Sequence, residues 1–264
     1  MTNHTVQSPA VEYASESSPA LRPEAEGGWS TSSAGLIAGV AILLMSVLAG
    51  FGNFVAVHGM VTQGDAAQTA HDVMASEGVF RLGIVSLFLV VALDVVVAWA
   101  LYRVFSPVSR GVSLLAALFR LVYAGVFLVA ISQLVSAVHL LGTDPSLSMF
   151  TPRLLEAQAL SDINAYTDVW TAGLLLFGIH LFLVGCLAYR SGYVPRLLGV
   201  LLAVAGLGYG LDSVATVLSD GAWTDVSAFT FIGEFLLALW LVIRGRRLGT
   251  SDSPRGALTT ARAR

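Results

Sequence analysis

Four ionisable residues, Asp94, Arg120, His180 and Glu234, lie inside long apolar stretches of this chain. A charged side chain there is costly and marks a buried partner or a functional site. Their spacing puts them at one depth. Asp94 precedes Arg103 by nine residues, Arg120 follows Arg110 by ten, His180 precedes Arg190 by ten, and Glu234 precedes Arg244 by ten. If those arginines mark helix ends, a rise of ~1.5 Å per residue places all four side chains ~14–15 Å in, near the midplane of a bilayer. Asp94 and Arg120, on consecutive antiparallel helices, are then an intramembrane ion pair. For that pair alone, locking two helices in register is favoured slightly over chemistry, because buried ion pairs commonly serve specificity. His180 by itself reads as a hydrogen-bonded packing residue. Glu234 has no second Arg or Lys at its depth, so it is either protonated or shares Arg120 with Asp94. A carboxyl near an imidazole could bind a cation or relay a proton, which makes His180 and Glu234 the candidate titrating or binding groups. Asp212 is a third candidate, but it falls in the outer third with Asn53, His58 and Asp168.

The faces around these residues are small. Ser113, Ala116, Ala117 and Ala124 share a face with Arg120, Gly83 and Ala98 with Asp94, and Ser227, Thr230 and Ala238 with Glu234. Small residues let helices approach closely, so the polar groups point into a bundle. No catalytic constellation accompanies them. There is no Ser–His–Asp or G-x-S-x-G arrangement, no H-E-x-x-H zinc motif, and only His180 lies deep enough to hold a haem. The stretch "GLGYG" (206–210) lies in an apolar run with no preceding strand, so Gly206 and Gly210 read as a helix-packing spacing, as do Gly35 and Gly39. No metal and no cofactor is expected. The single cysteine, Cys186, reads as a small core or lipid-facing residue.

The elements that must position these groups are membrane helices. Of 264 residues, 56% are hydrophobic and only 12% charged, with a mean hydropathy of +0.78. A soluble domain carries about 25% charged residues, so this chain lacks the charge to coat a globule in water. A net charge of −3 excludes a basic surface for nucleic acid. All 14 basic side chains are Arg, a usage that points to a high-GC bacterial genome.

Residues 1–33, rich in Ser, Pro, Ala and Glu, read as a disordered tail. They lack the basic leader of a signal peptide, so the first apolar run is expected to be a retained helix. Six runs reach the ~20 residues that cross a bilayer: 34–58, 80–102, 111–140, 166–189, 196–218 and 226–244. They make one membrane domain over 34–245, followed by a flexible Arg-rich tail over 246–264.

The connections alternate in charge. Arg103 and Arg110, Arg190 and Arg196, and Arg244, Arg246 and Arg247 lie at one set of ends. Asp65, Asp72 and Glu77, then Asp144, Glu156 and Asp162, then Asp220 and Asp225 lie at the other. The positive-inside rule puts the Arg ends and both termini in the cytoplasm of a multi-pass cell-membrane protein. Trp99, Tyr102, Tyr189 and Trp240 suit one interfacial belt, and Tyr166, Trp170 and Trp223 the other. The two long outer loops each predict a short amphipathic surface helix: 66–77 capped by Asp65, and 152–163 capped by Thr151 ahead of Pro152. Tyr102-Arg103 and Tyr189-Arg190, each followed by a short loop, an Arg and "LLA", form a faint internal repeat.

"ASEGVFRLGI" (75–84), Asp94, "LLAALFRLVYAG" (114–125) and "GIHLFLVGCLAYRSGYVPRLLGVLLAVAGLGYGLDS" (178–213) resemble the bacterial integral-membrane family called domain of unknown function 4386. The likeness covers roughly 34–245 and is most specific from Tyr189 to Ser213. It implies a six-span membrane protein and marks Arg81, Asp94, Arg120, His180, Arg190 and Asp212 as family-type positions. It implies no activity. The expectation is therefore an all-α polytopic membrane protein of six spans and two short outer helices, embedded in lipid. Its internal polar cluster would bind or pass a proton, cation or small polar solute. The rival is a structural or regulatory protein that packs against another membrane protein or its own copies, with the Asp94–Arg120 pair purely structural. A water-accessible cavity reaching Glu234 and His180 would separate the two, and a membrane enzyme ranks third.

Overall fold

The computed structural model of the chain describes residues 31–142, 144–219 and 227–245, with side chains from residue 232 onward in the last segment. Of the expected tails, residues 1–30 and 246–264 lie outside the described residues, as does Trp223. Among the described residues all regular structure is helical. Helix α1 (Thr31–Gly50) runs on into a π-helical segment (Phe51–Val57) and a 3-10 turn (His58–Met60). Then come α2 (Ala66–Ala75), α3 (Glu77–Phe105), α4 (Arg110–Leu141), α5 (Pro152–Arg190), α6 (Arg196–Leu218) and α7 (Ser227–Arg244).

Five of these are long and apolar enough to cross a membrane: Thr31–Met60, Glu77–Phe105, Arg110–Leu141, Pro152–Arg190 and Arg196–Leu218. The surface agrees with lipid as the solvent. On α4, Arg120 is 1% exposed while its neighbours Leu118 and Val122 are 49% and 55% exposed. That inverts the pattern water selects, because in hydrocarbon the apolar side chains belong outside and the polar ones must find partners within.

The helices close into a ring in chain order. Helix α1 packs on α3, α3 on α4, α4 on α5, α5 on α6, α6 on α7, and α7 returns to α1. Glycines set the closest approaches. A Cβ on Gly178 would lie 2.5 Å from the Gly206 carbonyl oxygen, and one on Gly185 would lie 2.5 Å from the Ala203 nitrogen, so α5 and α6 meet backbone to backbone. The motif at 206–210 is thus part of a helix interface. Gly39 faces α7 in the same way, with its Cβ direction 2.8 Å from the Ala238 carbonyl oxygen.

The outer connections differ in part from expectation. Asp65 caps α2, its carboxylate accepting from the Gln68 amide at 2.9 Å. The stretch 152–163 is helical, but it is the first part of α5 and no separate surface helix. Nothing between it and the apolar run breaks a helix, since "INAYTD" (163–168) holds no Gly or Pro. Thr151 occupies the N-cap position without a side-chain capping bond; its carbonyl accepts from the Leu154 amide at 3.0 Å. Helix α2 lies against α5. Tyr166 and Trp170 do not form a belt: Tyr166 is buried and Trp170 turns inward against Tyr123. At the opposite end, the α5–α6 connection is tied to α3. The Tyr193 hydroxyl donates to the Val104 carbonyl at 2.7 Å, and burial pushes this phenol up to about 12.

Candidate functional site

Arg120 points from α4 into the centre of the ring, and its guanidinium is shared among the surrounding helices. Its Nε donates to Asp94 Oδ1 on α3 at 2.8 Å, and its Nη1 donates to Glu234 Oε1 on α7 at 2.9 Å. Nη1 also faces His180 Nε2 on α5 at 3.1 Å, and Nη2 lies 3.9 Å from Met45 Sδ on α1. The Phe177 ring stacks beneath it, with its centroid 5.3 Å from the guanidinium carbon. Asp94, Arg120 and His180 are each 1% exposed. Ala116 and Ala117, small and buried on the same face of α4, leave the room in which α5 brings His180 close.

The hydrogen bonds assign the imidazole. His180 Nδ1 lies 2.8 Å from the Ala116 carbonyl oxygen, which can only accept, so Nδ1 carries the proton. Nε2 then presents its lone pair to Arg120, and His180 serves as a neutral acceptor that steadies the guanidinium. Two carboxyl groups meet this one cation. Asp94 contributes only one oxygen to it; Oδ2 is buried and has no hydrogen-bond partner among the described residues. Buried polar atoms are nearly always satisfied, so an orphaned acceptor calls for an explanation.

The layer around Arg120 divides two unlike regions. Toward the ends that carry the acidic connections lies a cavity of about 130 Å3. Its floor is Asp94, Arg120 and Glu234; its wall holds Tyr123, Phe127, Trp170, Phe177 and Tyr209, with Ser46 and Asn53 at its side. Toward the Arg-rich ends, the space among Ala98, Leu101, Ser113, Ala117, His180 and Val184 admits about 0 Å3 of water-sized volume. The cavity reaches Glu234 but not His180, which belongs to the dry side.

The remaining candidates lie elsewhere. Asp212 is buried on α6, its own carbonyl accepting from Thr216 Oγ1 at 2.8 Å, and it does not line the cavity. Asn53 does line it and accepts from the Tyr166 hydroxyl, while His58 and Asp168 are exposed and flank a separate surface pocket. Arg81 lies on the surface, paired with Glu77 at 2.6 Å, and Arg190 is exposed at the end of α5. The sequence reading missed the aromatic wall and Met45, because an apolar residue in an apolar helix carries no signal of what it faces. Asp162, expected on the outer surface helix 152–163, is instead buried, accepting from Ser136 Oγ at 2.6 Å and Gln158 Nε2 at 2.9 Å.

Comparison with known proteins places the chain. The family described as "Domain of unknown function (DUF4386)" matches residues 37–245. An uncharacterized protein of Archaeoglobus fulgidus is 39% identical over 165 residues, which is 62% of this chain and 85% of the relative. No solved structure matches the chain. The chain belongs to the domain of unknown function 4386 family.

Proposed function

We propose that this family member is an integral-membrane binding protein for a small polar or cationic solute, received in the cavity that ends on Asp94, Arg120 and Glu234. The carrying observation is the asymmetry across the Arg120 layer: about 130 Å3 of space on one side, and none of water size among Ala98, Ala117, His180 and Val184 directly on the other. A through-going pore needs space on both sides, and a mere structural lock needs it on neither. One-sided access is what a binding site, or a carrier closed at one end, requires. Asp94 and Glu234 are then the groups that meet the solute, and His180 holds Arg120 in place from the sealed side.

In this reading α7 is a sixth span. Its 18 residues reach ~27 Å at ~1.5 Å per residue, and it closes the ring between α6 and α1. The Arg ends and both termini face the cytoplasm, so the cavity opens outward. The structural reading, in which the Asp94–Arg120 pair only fixes helix register, draws on the dry packing around His180.

Thiol access separates these readings. In a Cys186→Ala background reconstituted in lipid nanodiscs, Ser46→Cys should react with methyl methanethiosulfonate while Ser113→Cys, on the packed side, stays protected. No reaction at position 46 would leave a sealed bundle and the structural reading. Equal reaction at both positions would mean a pore open at both ends and would overturn the one-sided site.

A further inference from the structure

We propose that the solute held in this cavity is a small organic cation, an ammonium group bearing methyl or short alkyl substituents. The inference rests on the binding reading above and adds the charge and shape of what is bound.

The charge follows from the residues at the floor. Arg120 is the cavity's basic side chain, and it faces two carboxyl groups, Asp94 and Glu234. The acids therefore outnumber the base by one, in a setting where a net charge is strongly disfavoured. The surplus has a definite location: Asp94 Oδ2, buried and unpartnered among the described residues, on a side chain that lines the cavity. An anionic solute would have to displace a carboxylate from Arg120 to gain a partner. A cation is drawn to a carboxyl pair that Arg120 alone does not balance.

The wall decides which cation. Tyr123 and Phe177 have ring centroids 4.9 Å apart, Phe177 and Tyr209 meet edge to face at 5.5 Å, and Phe127 and Trp170 are 6.3 Å apart. Trp170 Nε1 donates to the Tyr123 hydroxyl at 3.1 Å, so the indole N–H is satisfied within the wall. What the wall offers the cavity is ring surface. A bare metal ion wants a shell of oxygen ligands, and the described residues hold no cluster of three or more His, Cys, Asp or Glu side chains suited to one. An alkylammonium needs no such shell; its charge is spread over CH groups that aromatic faces attract. The size agrees, since about 130 Å3 approaches the ~150 Å3 of an engineered cavity that binds benzene.

The test uses reagents that carry the two charges at one size. Full-length protein with Cys186→Ala and Ser46→Cys in nanodiscs is reacted with the trimethylammonium-ethyl and the sulfonato-ethyl methanethiosulfonates, each rate normalised to that with a free thiol in solution. The cationic reagent should be favoured by roughly tenfold or more, as expected for a surplus carboxylate at close range in a partly desolvated site. Tetramethylammonium chloride should slow its reaction, and sodium chloride at equal ionic strength should not. Equal normalised rates, a preference for the sulfonate, or equal slowing by sodium would overturn the organic cation and leave the cavity reading standing. Failure of the two charged reagents and of the neutral one alike would overturn the cavity reading itself.

Discussion

Arg120 is held from several sides, and its partners are not equivalent. His180 is a neutral acceptor on the sealed side, Glu234 reaches in from α7 at the cavity, and Asp94 spends one oxygen on Nε while the other is buried without a partner among the described residues. Removing the guanidinium therefore strands two carboxyls at once, and Arg120→Met should cost on the order of 3–5 kcal/mol. Asp94→Asn should cost under about 1 kcal/mol, because the amide oxygen still accepts from Nε and the surplus charge disappears. Equilibrium unfolding in mixed micelles compares the two. If Asp94→Asn were as damaging as Arg120→Met, the negative charge of Asp94 would be needed to bury the guanidinium, and the account of Oδ2 as a surplus acceptor would fail. Much of this layer was legible in advance. Residue spacing converts directly to depth along a helix, so counting from the terminal arginines brings Asp94, Arg120, His180 and Glu234 to one level. Which side of that level is open was not legible. That depends on how closely Ala98, Ala117 and Val184 close the space beside His180, and apolar residues look alike in sequence whether they line a space or fill one.

Among the elements, the α5–α6 interface carries the most specific requirement. The Cβ direction of Gly178 meets backbone atoms, the Gly206 oxygen at 2.5 Å and the Gly210 nitrogen at 2.9 Å, and no rotamer change relieves that. Gly178→Ala should force the helices apart and cost roughly 1–3 kcal/mol, the usual range for overpacking. Gly125→Ala on α4, with nothing within 4 Å, should leave stability unchanged or slightly raised. Thermal unfolding followed by circular dichroism in detergent gives the comparison, and equal losses for the two would remove the close-approach argument. The G-x-x-x-G spacing in "GLGYG" makes this interface readable from sequence. The length of α5 was less so: hydropathy marks where apolar residues stop, and a helix continues past that point wherever no residue breaks it. The π-helical turn at Phe51–Val57, where Asn53 Nδ2 donates to the Ala49 carbonyl at 3.1 Å, has no sequence signature at all. It widens the helix beside the cavity, a place where such turns recur.

For the molecule as a whole, the Arg asymmetry predicts an orientation that chemistry can check. With Cys186→Ala as background, a cysteine at position 147 should react with an impermeant reagent added to intact cells, and one at 107 should not; the reverse pattern would invert the protein and turn the cavity toward the cytoplasm. The closed ring gives this orientation a further meaning through α5. At 39 residues α5 is ~58 Å long, nearly twice the ~30 Å hydrocarbon thickness, and Pro152 is its only proline. It is a single helix packed against α4 and α6, with α2 lying against it. From Pro152 to His180 is 28 residues, an arm of ~42 Å, so a tilt of ~5° about the level of His180 swings the tip by ~4 Å. Trp170 sits on the same arm ten residues from the pivot and Phe177 only three, so they move by ~1.3 Å and ~0.4 Å. If α5 tilted as one body about that level, a displacement at its Pro152 end would reach Phe177 reduced about ninefold, the ratio of the two arms.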